Sequence, residues 1–420
     1  MPTCNKVLVL NSGSSSVKFK LFEVTDKPRV LAKGSAERIG QPGFSVKCEC
    51  TREGGKSCQL AHPSDYTAET DTGHAAAINL VCSHLLSHPC NIVEDISEIV
   101  GVGHRVVHGG ERFTGSVIID SDVIDGIQAC ARLAPLHNPP ALMGIRACAS
   151  IFPEVPQVAV FDTAFHHTIP EKAFLYGIPR EFHQKYGIRK YGFHGLSHQY
   201  VALEAAKHLG KPITELKLIT CHLGNGSSIT AVEYGRSIDT SMGLTPLGGI
   251  MMGTRPGDLD PYIPIFMLKE LGMSVEEVEA TLNRGSGMEG ISGYTDMRDV
   301  EAHMVAGDPD CSLALEMFAY RAARRMGSYV TVMNGADAMV FTGGIGENDP
   351  FMRARILATF THLGLFVDAE KNICNARCVT TPASKVAALV IPTNEELVIA
   401  RETYRLVQDR VASAQAAAAD

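Results

Sequence analysis

No apolar run in this 420-residue chain approaches the ~20 residues that a membrane-spanning helix needs. Its first residues, Met1-Pro-Thr-Cys-Asn-Lys6, pass straight into a short strand, without the apolar core and small-residue cleavage site of a secretory signal. A cytoplasmic location is the expectation. Positive charge is also in short supply: 38 Lys plus Arg face 46 Asp plus Glu, a formal net charge of −8. That balance argues against nucleic acid or an anionic membrane as the main partner, so any anion site must be local. The 12 cysteines come with no export signal, and neither Cys48, Cys50 and Cys58 nor Cys374 and Cys378 supply four ligands at zinc-site spacing. Reduced thiols are expected. A Walker A loop is missing, because Gly55-Lys56-Ser57 would need a glycine where Cys50 stands. The dinucleotide fingerprint begun by Gly101-Val-Gly103 fails at Val106, which removes the dehydrogenase reading.

Core material, by contrast, is plentiful. Hydrophobic residues make up 45% and charged residues 20%, values of a soluble globular protein, and at roughly 150 residues per domain the length fits two or three lobes. Residues 7–10 read as a strand, followed by a polar turn and by Val17, Phe19 and Leu21 alternating with Lys18 and Lys20, a hairpin with one wet face. Further strands are expected at 30–32, 44–48, 99–107, 158–161, 216–223 and 229–232, and helices at 74–87, 121–133, 140–151, 262–271 and 313–326. Residues 51–72 are polar, contain glycine and read as a surface loop. This alternation of strands and helices is the pattern of an α/β layered fold. Asn11-Ser-Gly-Ser-Ser-Ser-Val resembles Gly224-Asn-Gly-Ser-Ser-Ile-Thr when Gly13 is laid over Gly226, about half the chain away, as duplication of one domain would leave it.

Several segments carry chemistry. The turn Asn11-Ser-Gly-Ser-Ser-Ser-Val-Lys18 offers backbone N–H groups, hydroxyls and the charge of Lys18, which suits a polyphosphate; an ordinary polar hairpin has the same composition. Gly343-Gly-Ile-Gly-Glu-Asn348 lies between an apolar strand and Asp349-Pro350, an N-cap and first helical residue, so it is either an anion-binding turn or a plain tight connection. Arg and His gather beside glycine at His104-Arg-Val-Val-His-Gly-Gly, Tyr191-Gly-Phe-His-Gly-Leu-Ser-His198, Thr220-Cys-His-Leu-Gly-Asn-Gly and Gly253-Thr-Arg-Pro-Gly-Asp-Leu-Asp260. A phosphoryl group in flight is met by such donors and by Mg²⁺. Helical i,i+4 spacing of His104 with His108 and of His194 with His198 would suit zinc, but the adjoining glycines argue against helix there. Asp162 ends a strand, where α/β folds place functional groups, and is a candidate Mg²⁺ ligand or general base. Asp296-Met-Arg-Asp299 is a further polar turn, and Thr393-Asn-Glu-Glu396 reads as a capping box that leaves Glu395 without a structural duty.

Together these segments closely resemble the acetokinase family, within the superfamily of acetate and sugar kinases, heat-shock chaperones and actin; the likeness runs from Leu8 to beyond Glu395. It implies two duplicated ribonuclease H-like, actin-like ATPase lobes of βββαβαβα type, residues 1–165 completed by a last helix at 396–420, and a nucleotide-binding lobe at 166–395. The active site would lie in the cleft between them. It also implies a homodimer acting on small molecules, with no nucleic acid or membrane partner, that transfers the γ-phosphoryl of ATP directly and in line to acetate, reversibly, giving acetyl phosphate and ADP. Propionate or another short-chain carboxylate is the alternative acceptor, and an actin-like or chaperone-like ATPase binding module the alternative class. By matching motifs, Asn11 and Glu395 resemble the pair associated with Mg²⁺ or Mn²⁺. Asp162, His194 and Arg255 resemble the catalytic residues, Asp162 more as a metal or water ligand than as a base, since a carboxylate acceptor needs no proton removed. Arg105 resembles the substrate arginine, and Val107, Leu136, His137, Phe193 and Pro246 the surroundings of a small methyl pocket. Lys18, the turn His222, Leu223, Gly224, Asn225 and Gly226, the turn Asp296, Met297 and Arg298, and the turn Gly344, Ile345, Gly346, Glu347 and Asn348 resemble the contacts to ATP. Leu196, Pro140 and the stretch 47–71 depart from the family pattern without touching these roles.

Overall fold

The computed structural model describes residues 5–51, 57–62, 73–86 and 92–419; Gly55-Lys56, most of the stretch 51–72 and Ser87 lie outside them. The described chain forms two compact units, one holding the residues up to Ala164 and again from Asn394, the other Phe165–Thr393. Among the described residues no helix is long and apolar enough to cross a membrane.

In the first unit, β1 (Lys6–Ser12), β2 (Ser16–Glu23), β3 (Arg29–Glu37), β4 (Ser45–Thr51) and β5 (Ser57–His62) form an antiparallel meander. β6 (Ile99–Val106) adds parallel to β1, β8 (Gln157–Phe161) parallel to β6, and the short β7 (Val117–Ile118) closes the edge. Period-2 alternation sends Leu8, Leu10, Phe19, Leu21, Ala32 and Val46 into a core against helices α1 (His74–Leu86) and α3 (Asn138–Ile151). Helix α2 (Ser121–Ala129), capped by the Asp120 side chain, stops four residues short of the expected end. Strand β5 overturns part of the loop expected at 51–72. Six residues between glycine-rich and polar flanks give too little periodicity to read, whereas the β4 edge supplies a ladder for them.

The last helix, Glu395–Ala419, packs on the opposite face of this sheet at β6 and β1. Its close approach explains Gly101-Val-Gly103: a Cβ on Gly103 would stand 2.4 Å from Thr403 Oγ1 and 2.6 Å from Ile399 Cγ2, and one on Gly101 2.9 Å from Thr403 Cγ2. The capping box expected from Thr393 to Glu396 does not form. Asn394 Oδ1 accepts from the Leu397 N–H (3.2 Å), while the Thr393 N–H goes to Glu347 Oε1 (3.1 Å) and Glu396 pairs with Lys20 (3.2 Å).

In the second unit, β9 (Lys217–His222), β10 (Ser228–Glu233) and β11 (Arg236–Thr240) are antiparallel, and β12 (Ala338–Thr342) and β13 (Ala387–Val390) add in parallel beyond β9. The order β11-β10-β9-β12-β13 repeats the order β3-β2-β1-β6-β8. Gly13 and Gly226 both sit in the first hairpin of their sheet, β1–β2 and β9–β10, so the sequence echo falls on equivalent turns. The strands are buried on both faces: Leu218, Val232, Val340 and Leu389 pack on helix α4 (Gly195–Leu209), and Ile219, Ile229, Met339 and Phe341 face a larger core that includes the long helix Pro309–Val332. Helix α4 corrects the expectation that Gly195 keeps 194–198 out of a helix. Gly195 is its first residue, where a glycine costs little because the N–H groups of a first turn are unpaired in any case.

Candidate active site

In the first unit, burial and charge converge at Arg105, which leaves β6 beside the end of β8. The Asp162 carboxylate, 1% exposed, receives both the Arg105 Nε–H (3.3 Å) and an Nη2–H, and Arg105 Nε also lies 3.5 Å from Glu395 Oε2. Asp162 is fixed in turn by its own N–H, which donates to Val106 O (3.0 Å). Burial pushes the Asp162 carboxyl up to about 6, against the downward pull of the Arg105 guanidinium and with a smaller upward push from Glu395. The same carboxylates hold the Arg105 proton more tightly than usual, so the arginine stays charged. Val107 is buried. The segment around it is pinned by Asn138, whose amide bonds His108 through both its N–H and its C=O (3.1 and 2.9 Å). Sequence reasoning passed over this asparagine. His137 precedes α3, and Leu136 stands 62% exposed. Asn11 and Lys18 are cross-strand partners flanking the β1–β2 turn, and Asn11 makes no side-chain hydrogen bond within the described residues.

In the second unit, His194 takes a left-handed backbone (φ 56°) just before α4, a conformation that only a well-braced side chain sustains. Its Nδ1 lies 2.9 Å from Ser228 Oγ, which is also 2.7 Å from His198 Nε2, while His198 Nδ1 reaches Thr220 Oγ1 (2.7 Å). Thr220 Oγ1 donates toward Thr230 O at 3.5 Å. The protons follow in order: Thr220 accepts from His198 Nδ1–H, Ser228 donates to His198 Nε2, and His194 Nδ1–H donates to Ser228. Burial holds His198 well below its ordinary range and the neighbouring His166 down to about 4, so both are neutral. His166 donates its Nε2–H to Phe193 O (2.9 Å), which seats Phe193 beside His194. His222 stacks on His194 at 4.2 Å and bonds Ser197 Oγ through Nδ1 (2.8 Å). Ser228, His198 and Thr220 carry this chain, with His166 and Ser197 bracing Phe193 and His222 beside it, and Ser228 lies in the segment that echoes the N-terminal turn.

Arg255 and His194 meet at Gly226, where a Cβ would come 2.7 Å from Arg255 Nη2 and 3.6 Å from His194 Nε2. Arg255 donates to Pro246 O (2.7 Å) and has no carboxylate partner among the described residues, and partial burial lowers its hold on its proton. The three glycine-rich or polar turns come together. Ile345 and Gly346 N–H both donate to Leu223 O (2.9 and 3.2 Å), the Gly253 N–H donates to Asn225 O (3.1 Å), and a Cβ on Gly253 would stand 3.4 Å from Thr295 O, just before Asp296. Residues 343–348, read as a turn, are a short helix, Gly343–Asn348, followed by a second that Asp349 caps. Glu347 braces the first through Gly343 N–H, Thr342 Oγ1–H and Thr393 N–H, and Asn348 bonds Gly344 O. The buried Arg353 ties Gly346 O (3.0 Å) to Asn372 and Asn375. Asp296 caps the helix Met297–Val305 and pairs with exposed Arg298, while Met297 is buried.

A guanidinium with no carboxylate partner among the described residues, set beside a histidine and clustered glycine turns, suits an anion that arrives with the substrate, and the class that this site on a duplicated sheet suggests is a phosphotransferase. A sequence model described as the acetokinase family matches residues 6–401. The acetate kinase of Carboxydothermus hydrogenoformans is 50% identical over 407 residues, covering 96% of this chain and 100% of that protein. The crystal structure of Porphyromonas gingivalis acetate kinase superposes with a TM-score of 0.88 at 39% identity, and that of a propionate kinase from Francisella tularensis with 0.87 at 43%, each covering 96% of this chain and 100% of the other. The chain belongs to the acetokinase family, kinases whose acceptor is a carboxylate.

Proposed function

We propose that the chain moves the γ-phosphoryl of ATP reversibly and in line to acetate, giving acetyl phosphate and ADP, as a cytoplasmic Mg²⁺-dependent homodimer. The observation that carries this reading is the convergence of Arg255 and His194 on Gly226. Charge on a migrating phosphoryl group is shared by its equatorial oxygens, and a guanidinium with no carboxylate partner among the described residues and a histidine Nε2 beside it meets that charge. Because Ser228 fixes the proton of His194 on Nδ1, Nε2 donates only when the ring is charged, a state that an incoming phosphate stabilises. Arg105, aligned by Asp162, binds the acceptor carboxylate in the first unit, where Lys18 is assigned to phosphate; the turns at Gly226, Asp296 and Gly344 in the second unit bind the nucleotide.

The donor set fits magnesium, which takes one or two carboxylates and completes its shell with phosphate oxygens and water. Glu395 has only a 3.5 Å contact with Arg105, and the Asn11 carboxamide oxygen is unused within the described residues. Held by Glu395 and Asn11, a magnesium ion would supply positive charge to the phosphate oxygens that it accompanies. The homodimer reading rests on helix Tyr262–Lys269, where Tyr262, Ile263, Ile265 and Phe266 all stand 40% exposed or more, a patch of the kind that a subunit contact buries.

Trapping the acyl phosphate with hydroxylamine, with Mg-ATP and acetate, propionate or butyrate, tests the reaction. Acetate should give the highest kcat/KM. Propionate preference would move the chain to the activity named for the Francisella relative, and ATP consumption independent of any carboxylate would overturn the reading.

A further inference from the structure

The wet face of the N-terminal meander gathers cations in a chain whose net charge is −8. Strand alternation places Asn11, Lys18, Ser35 and Lys47 in one cross-strand row and Val9, Lys20, Lys33 and Glu49 in the next. These two rows floor a trough of about 670 Å³, walled at one end by Glu396. Lys20 pairs with Glu396 and Lys33 with Glu49, each at 3.2 Å. Lys18 and Lys47 have no carboxylate partner among the described residues, so the trough carries two uncompensated positive charges. They flank Ser35 from strands two apart, which sets their Cα atoms roughly 10 Å from each other. Lys18, Lys33 and Lys47 are exposed and Lys20 is half-buried, and long lysine stems can lie along such a floor with their ammonium groups in water, where several negative charges on one small molecule would engage them together.

We propose that this trough is a second anion site, separate from the acceptor site at Arg105, and that it takes a small oligophosphate. A single phosphate does not bridge the two open lysines, whereas a chain of phosphates carries charge along the row. Lys18 and Asn11 are shared with the proposed nucleotide and metal sites, and the test leaves both in place.

Isothermal titration of the full chain with inorganic tripolyphosphate, with tricarballylate as the carboxylate counterpart, reads the site. Lys47→Glu and, separately, Lys33→Glu should weaken tripolyphosphate binding at least tenfold while leaving the KM for ATP within twofold. Glu49→Gln, which releases Lys33, should tighten it, and raising the salt from 50 to 300 mM should weaken it in the unaltered chain. Circular dichroism guards against a misfolded variant. Equal binding by the unaltered chain and both lysine variants would overturn the proposal. Tricarballylate binding as tightly, with the same dependence on Lys47, would overturn the choice of phosphate. A parallel rise in the KM for ATP would show that the trough is part of the nucleotide site.

Discussion

At the scale of single residues the site is an exercise in counter-charge. Among the described residues Arg105 has two carboxylates and Arg255 has none, which suits one for a constant small acceptor and the other for charge that appears only during transfer. On the proposed function, Asp162 should set the acid limit. Its carboxyl ionises near 6 rather than 3.8, so kcat/KM should fall as pH drops through about 6, and in Asp162→Asn it should be at least ~10²-fold lower with no limb at that pH. The stability effect has the opposite sign. Between pH 3.8 and about 6 the folded chain keeps a proton that the unfolded chain has released, so this group's contribution declines as pH rises through that window; thermal melts of Asp162→Asn should lose that slope. Arg255→Ala should lose on the order of 10³ in turnover with its circular dichroism unchanged. Gly226→Ala gives an independent check, since its methyl would sit 2.7 Å from Arg255 Nη2 and push the guanidinium aside. Single-turnover kinetics should show slowed phosphoryl transfer, and a variant with normal kcat would separate Arg255 from the chemistry.

Elements explain how these side chains are held, and how much could be read beforehand. Strands with clean alternation, such as β2, were legible, as were helices with three or more turns of apolar spacing. The α/β class followed from them. What escaped depended on partners distant in sequence. β5 needed the β4 edge, and Asn394 displaced Thr393 as the cap because the Thr393 N–H was already committed to Glu347. The serine–histidine chain spans β9, β10 and α4, so no local pattern announces it. Gly101-Val-Gly103 is the instructive case. It resembled half of a nucleotide motif and proved to be a seat for the last helix. Gly103→Ala would press a methyl onto Thr403 and Ile399, both stiff at χ1, and should cost roughly 1–3 kcal/mol in denaturant unfolding. Ile399 is one turn beyond Glu395, so the same variant should raise the Mg²⁺ concentration needed for half-maximal rate. Unchanged magnesium dependence would detach Glu395 from the metal.

For the whole molecule, the exposed apolar helix makes assembly measurable. Phe266→Glu should convert a dimer into monomers in analytical ultracentrifugation with little change in unfolding midpoint, because Phe266 is 47% exposed in the isolated chain. A sedimentation profile unaffected by the change would place any subunit contact elsewhere. The other large-scale feature is the path of the backbone, which leaves the first unit at Ala164 and re-enters it at Asn394. During synthesis at roughly 5–20 residues per second, the glycine-floored face of β6 therefore waits on the order of 10–50 s for its covering helix. Over that interval the first unit is a sheet with an unsealed side, vulnerable to proteases and to premature association. A chain truncated anywhere between those two points would leave that face of β6 uncovered, and Glu395, the proposed metal ligand, arrives only with the returning segment.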